Sequence, residues 1–268
     1  MIKIKFFRSL QLIILLILTV LISSIIWTQF IMKDKNIVQD YRTLSMFSPE
    51  LIIAYQEKYP STWKDYIAIL SAQHQLEGQN DSIIMNLHKQ IDNKTLFEEL
   101  IWPDKYPKYI KTAKYYRTLL DKYPVYTPDN YLFPLQGPSY FVDTYGADRE
   151  GGARSHQGTD LFDKKGTPIF NVCDGTVEKL GWNRLGGERV GVRGNDGNYY
   201  YYAHLDKINT DLTIGQRITK GELIGTMGNT GDAITTPDHL HFGIELPNTE
   251  WLNPYPLLKV WEYHRFKH

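Results

Sequence analysis

The chain has only one cysteine, Cys173, in 268 residues. A single thiol cannot close an internal disulfide, and it removes thiolate-rich zinc sites from consideration. In "GTPIFNVCDGTVEKLGW" it sits in an alternating apolar run, the setting of a small buried hydrophobe. An excess of one charge is also missing, since 30 Lys and Arg face 30 Asp and Glu. There is no dense Lys/Arg stripe, so no nucleic-acid partner is expected. The C-terminal half lacks long helical runs between its strands, which argues against a parallel βαβ sheet.

Charge is absent from residues 10–31, a 22-residue run dominated by Leu and Ile. As a helix this run would be ~33 Å long, enough to cross a bilayer core. Lys3, Lys5 and Arg8 precede it, whereas Lys33, Asp34 and Lys35 nearly cancel after it. No small-residue cleavage pattern follows, and the cysteine is far away, so an uncleaved anchor is expected, with a cleaved segment as the alternative. The positive-inside rule leaves the N-terminus in the cytoplasm and exports the remainder, as a single-pass protein of the cell membrane. Residues 1–35 are thus read as a cytoplasmic N-terminus and transmembrane anchor.

Residues 36–128 read as a helical region of unassigned role. Ser48 is an expected N-cap, with Pro49 at the first helical position. "STWKDYIAILSAQHQLEG" repeats apolar residues at three and four and is expected to end at Gly78. "DSIIMNLHKQID" and "KYIKTAKYYRTLLDKY" are expected to be further amphipathic helices, punctuated by prolines. His74 and His88 lie here without a carboxylate at ligand spacing, so structural or surface roles are expected for both.

From Thr127 the chain turns to Pro, Gly and Asp and reads as linker and loop up to Gly158. Short alternating runs then follow, among them "GTVEKLGW", "ERVGVRG", "NYYYYAHL" and "HLHFGIE", with "GNDGN" as a hairpin turn. The expectation is a compact domain of antiparallel strands. In "YYYY" at 199–202, one face should be core and the other can line a groove. His264 and His268 fall in a terminal tail expected to be solvated.

Four histidines stand out in this half. His239 and His241 occupy one strand two places apart, so their imidazoles share a face. His156 and Asp160 bracket Gly158 in "SHQGTD", where a bend can aim both inward. His204 ends a strand. Two imidazole nitrogens and a carboxylate oxygen suit zinc, with one position left for water. The third ligand would come from the H-L-H strand, and the histidines left over could move protons or stabilise an oxyanion.

"SHQGTD", "YYYAHL", "ITKGELIGTMGNTG" and "DHLHFGIE" occur in the order found in lysostaphin/LytM-type zinc metallopeptidases, and residues 130–260 resemble that family. The resemblance implies that His156, Asp160 and His241 bind one Zn2+, and that His204 and His239 are catalytic without binding it. It also implies a β-sheet groove and a peptidoglycan or muropeptide substrate. "GGARSHQGTDLF", "GWNRLGGERVGVR" and "TEWLNPYPLLKVW" look most like the L-Ala–D-Glu endopeptidase branch of sporulating bacteria. "GDAITTPD", before His239, departs from that branch and could reshape one groove wall.

The expected fold class is therefore α+β: an N-terminal transmembrane helix, a short helical region, then an antiparallel β-sheet peptidase domain over 129–268. The expected function is a membrane-anchored zinc endopeptidase acting on stem peptides. A zinc-braced, non-catalytic envelope scaffold or peptidoglycan-binding protein is the alternative. A non-haem iron site also uses two histidines and a carboxylate, but usually as H-x-D or H-x-H rather than H-x-x-x-D.

Overall fold

The structure, a computed structural model, describes Thr19, Ile22, and residues 36–76 and 80–267. Among the described residues, no helix is long and apolar enough to cross a membrane. That finding overturns the transmembrane helix in the expected fold class and gives the expected membrane contact no support. The run at 10–31 lies outside the described residues except for Thr19 and Ile22.

Residues 36–44 are helical and are labelled α1. Next come α2 (Pro49–Lys58), α3 (Trp63–Ser71), α4 (Asp81–Asp92) and α5 (Pro107–Lys122). Ser48 caps α2 by accepting the Leu51 N–H at 3.3 Å, and prolines begin α2 and α5, where a missing N–H costs nothing. In α4 the buried residues Ile84, Leu87 and Ile91 recur every three or four positions. The α3 helix stops at Ser71 and passes into a tight turn at Gln73–Gln75, shorter than the expected run to Gly78.

Eleven strands follow: β1 (Asp148–Arg149), β2 (Arg154–Ser155), β3 (Thr159–Phe162), β4 (Pro168–Phe170), β5 (Gly175–Asn183), β6 (Gly187–Gly194), β7 (Tyr199–Ile208), β8 (Arg217–Ile218), β9 (Leu223–Met227), β10 (His239–Glu245) and β11 (Trp251–Leu252). All the pairings are antiparallel, and β1 with β2 forms a separate small hairpin. The main sheet runs β11-β10-β7-β6-β5-β8, with β3 on β10 and β9 joining β7 to β4. The β6–β7 hairpin turns through "GNDGN", where Gly197 takes φ +87°, a left-handed value that suits glycine.

Strand alternation explains the tyrosine run. Tyr200 and Tyr202 are buried, with hydroxyls satisfied by Asp196 at 2.6 Å and Asn171 at 3.1 Å. Tyr199 and Tyr201 take the opposite face and line a cleft. The cysteine, Cys173, is buried as expected for a small hydrophobe.

One apolar cluster joins Leu44, Ile52 and Trp63 of the helical region to Leu161, Val192, Tyr202 and Phe242 of the sheet. The terminal segment, expected to be solvated, is instead the helix α6 (Tyr255–Phe266), with Leu257, Leu258, Val260 and Trp261 buried. Trp261 Nε1 donates to the Val125 carbonyl at 2.8 Å, and His264 Nε2 lies 2.6 Å from Gln56 Oε1. This helix thus bridges the two halves of the chain. His268 lies outside the described residues.

Candidate active site

Asp160 and His241 are direct cross-strand partners on β3 and β10. Strand pairing therefore brings together two side chains 81 positions apart in sequence. His156 follows β2 and extends the small hairpin, its N–H donating to the Ala147 carbonyl at 2.8 Å. Its Nε2 lies 3.0 Å from Asp160 Oδ1 and 3.0 Å from His241 Nδ1, and His241 Nδ1 lies 2.9 Å from Asp160 Oδ1. These three atoms form a nearly equilateral triangle.

His156 Nδ1 is 3.0 Å from the Thr144 carbonyl. Donation there places the proton on Nδ1 and turns the Nε2 lone pair toward the triangle. The second Asp160 oxygen accepts from Arg149 Nη2 at 2.8 Å, which leaves Oδ1 for the centre. The His241 ring takes its position because residue 158 is glycine. A Cβ there would stand 2.6 Å from His241 Cε1 and 2.6 Å from the Phe242 carbonyl oxygen.

His239 faces the same space from the start of β10. Its Nδ1 is 2.8 Å from the Pro237 carbonyl, and its Nε2 is 3.9 Å from Asp160 Oδ1. His204 arrives by a different device. The β6–β7 register shifts between Glu188 and Val190, which stand opposite Leu205 and Tyr202. The extra β7 residue is a bulge, and His204 takes φ +64° within it. Without the bulge, alternation would send residue 204 toward the core. His204 Nδ1 lies 2.8 Å from the Thr230 carbonyl, and its ring centroid is 4.9 Å from that of His239 and 5.8 Å from that of His241.

The protonation pattern follows from burial and neighbours. Burial pushes the Asp160 carboxyl upward, but the His156 and His241 imidazoles against it outweigh burial and hold the group well below the usual carboxylate range. Burial lowers His204 to about 4, aided by repulsion from His241 and His239. It also lowers His241, against the pull of Asp160. Near neutrality His204 is thus uncharged, with an Nε2 lone pair free to take a proton.

The three convergent atoms fit a metal ion. A single proton can satisfy only one contact of the triangle, whereas a cation at its centre satisfies all three. The edges are close to the ~3.3 Å expected between tetrahedral ligands at ~2.0 Å. Imidazole nitrogen with carboxylate oxygen is a zinc donor set, and His156, Asp160 and His241 form such a group among the described residues.

The site opens into a cleft of about 1050 Å³, bordered by Asn183, Arg184, Arg189, Tyr199, Tyr201 and Trp251. All five residues expected to carry chemistry, His156, Asp160, His204, His239 and His241, line it. His88 instead packs between Tyr55 and Tyr66, and His74 is exposed. Asp206 is ion-paired to Lys165 at 2.9 Å. Sequence reasoning missed Arg149, which falls in a stretch read as linker, and the carbonyls of Thr144, Thr230 and Pro237. The Gly-Gly pair after Arg149 hints at a tight hairpin and was the available signal.

Residues 154–254 match Peptidase family M23. The L-Ala–D-Glu endopeptidase of Bacillus subtilis is 38% identical over 143 residues, which is 50% of this chain and 44% of that protein. Lysostaphin of Staphylococcus simulans is 35% identical over 109 residues, 39% of this chain and 21% of its own length. A solved Ruminococcus gnavus structure, named as a candidate glycyl-glycine endopeptidase lytM, aligns with TM-score 0.55 and 26% identity, covering 84% of this chain and 91% of that one. The chain spans less than half the length of these curated relatives. The matched segment encloses the whole His/Asp/His triangle, so residues 154–254 form a domain of Peptidase family M23, the family of lysostaphin/LytM-type zinc metallopeptidases.

Proposed function

We propose that the chain is a zinc endopeptidase that hydrolyses amide bonds in peptidoglycan stem peptides, with the L-Ala–D-Glu bond as its target. The observation that carries this reading is the arrangement of five side chains around one point of an open cleft: three donors in a triangle, and two imidazoles beside it with their Nδ1 atoms on carbonyls. The bond assignment is supported by the similarity to the Bacillus subtilis L-Ala–D-Glu endopeptidase.

In this reading His156 Nε2, Asp160 Oδ1 and His241 Nδ1 hold the ion. Zinc supplies Lewis-acid chemistry, polarising a carbonyl and acidifying water near neutral pH. Arg149 fixes the Asp160 carboxylate so that one oxygen faces the centre. His204 and His239 present Nε2 lone pairs to the cleft, where each can accept a proton from water, return one to the leaving amine, or donate to the developing oxyanion once protonated. Tyr201 and Trp251 wall the cleft beside His241 and lay the peptide against it. Peptidoglycan lies outside the cytoplasm, and we place the acting domain there.

Digestion of purified peptidoglycan by the zinc-loaded full chain tests the reading. The expected result is new α-amines on D-Glu, identified by mass analysis and absent with His241→Ala. Stoichiometric zinc with no new amine would overturn it. New amines at a different linkage would retain the peptidase and overturn the bond.

A further inference from the structure

Four arginines lie along the cleft, and they differ in what neutralises them. Arg149 is paired with Asp160, and Arg154 with Asp232. Arg184 is exposed. Arg189, on β6, is none of these: its Nε and Nη1 are closed off from solvent and have no hydrogen-bond partner. On the same strand Arg193 has Glu178 at 2.8 Å, so the sheet can supply a carboxylate where one is needed. Arg189 faces Gly181 across the β5–β6 ladder, which leaves no side chain opposite to cover it.

A guanidinium N–H withdrawn from water without an acceptor is costly, and its rigid fork matches a carboxylate in two-point contact. Arg189 lines the cleft without an ion-pair partner, although Asp232 and Glu245 line the same cleft. Its place is near Tyr201, whose ring centroid is 6.0 Å from that of His241. That is about one residue's reach from the metal triangle.

We propose that Arg189 is a specificity-determining residue that binds a free substrate carboxylate adjacent to the scissile amide. The inference rests on the stem-peptide reading above. A glutamyl residue has two carboxyl groups, only one of which can continue the chain. In an L-Ala–D-Glu substrate the other remains as an anion on the residue that supplies the leaving amine. Arg189 pairs with that anion and sets the register of the peptide against the metal triangle. A substrate amidated at this position loses the pairing and strands the buried N–H groups.

The test uses the zinc-loaded full chain and two synthetic stem peptides that differ only in a free D-Glu carboxylate or its carboxamide. Wild type should favour the acid by about tenfold or more in kcat/KM. Arg189→Gln should bring the acid-to-amide ratio near one. Arg189→Lys, which keeps the charge and loses the fork, should fall between. The same peptides, N-methylated at the scissile amide, give the ratio of binding constants independently of cleavage. An Arg189-dependent preference in binding without any cleavage would support the anion site and overturn the peptidase reading. A ratio unaltered by Arg189→Gln, or a wild type that binds both peptides equally, would overturn the anion site.

Discussion

Asp160 on β3 stands directly across from His241 on β10, with its Oδ1 2.9 Å from Nδ1 of that ring. A ladder position sets this contact, so the ligand pair is as rigid as the sheet. A slip of one residue in either strand would turn its group to the opposite face. The same rigidity makes the surrounding contacts testable one at a time.

Arg149 holds the Asp160 oxygen that faces away from the centre. Arg149→Ala should leave the fold intact and weaken zinc binding by roughly 10- to 100-fold, the usual cost of losing a group that orients a ligand. Competition with a chromogenic chelator reads this directly. Unaltered affinity would show that Asp160 needs no such support.

Gly158 leaves the space that the His241 ring fills. Gly158→Ala should displace the ring or the neighbouring β10 backbone, at a cost of about 1–3 kcal/mol in stability. Zinc should bind more weakly in the same variant. A urea midpoint equal to wild type, with full zinc retention, would contradict the tight contact.

His204 sits at φ +64° in a β-bulge. A residue held in this region stores of order 1 kcal/mol of strain, which glycine does not. His204→Gly should keep zinc and lose roughly 10²- to 10⁴-fold in kcat as a proton-transfer group is removed. Its thermal midpoint should be no lower than wild type. A midpoint well below wild type would mean that the ring serves packing rather than chemistry.

Burial lowers His88, His204 and His264 relative to the unfolded chain. Each therefore binds its proton more readily when unfolded, so stability rises with pH through the window and falls on acidification. The window runs from the unfolded value of ~6.5 down to about 4 for His204. Urea midpoints of the zinc-stripped chain should drop between pH 7.5 and 4.5. His88→Phe should flatten part of that slope, and an identical slope would exclude His88 from it.

Much of the site could be read from residue spacing. The H-L-H repeat placed His239 and His241 on one face because strand side chains alternate, and the tyrosine run divided between core and cleft by the same rule. Other features depend on three-dimensional closure. Arg149 reaches Asp160 only because β1 and β2 fold back as a hairpin around Gly151 and Gly152, both at positive φ. The carbonyls that fix the imidazole tautomers belong to Thr144, Thr230 and Pro237, and backbone oxygens carry no residue-type signal. The α6 helix was legible as an aromatic, basic tail, but its partner surface, Val125 and Gln56, lies more than a hundred residues upstream. The helical region accordingly shares a core with the sheet.

The most direct test of the central claim is anomalous scattering at the zinc edge from crystals of the zinc-loaded chain. One peak per chain is expected, within ~2.0–2.2 Å of His156 Nε2, Asp160 Oδ1 and His241 Nδ1. A peak held by other residues, or none within reach of these three atoms, would contradict the account.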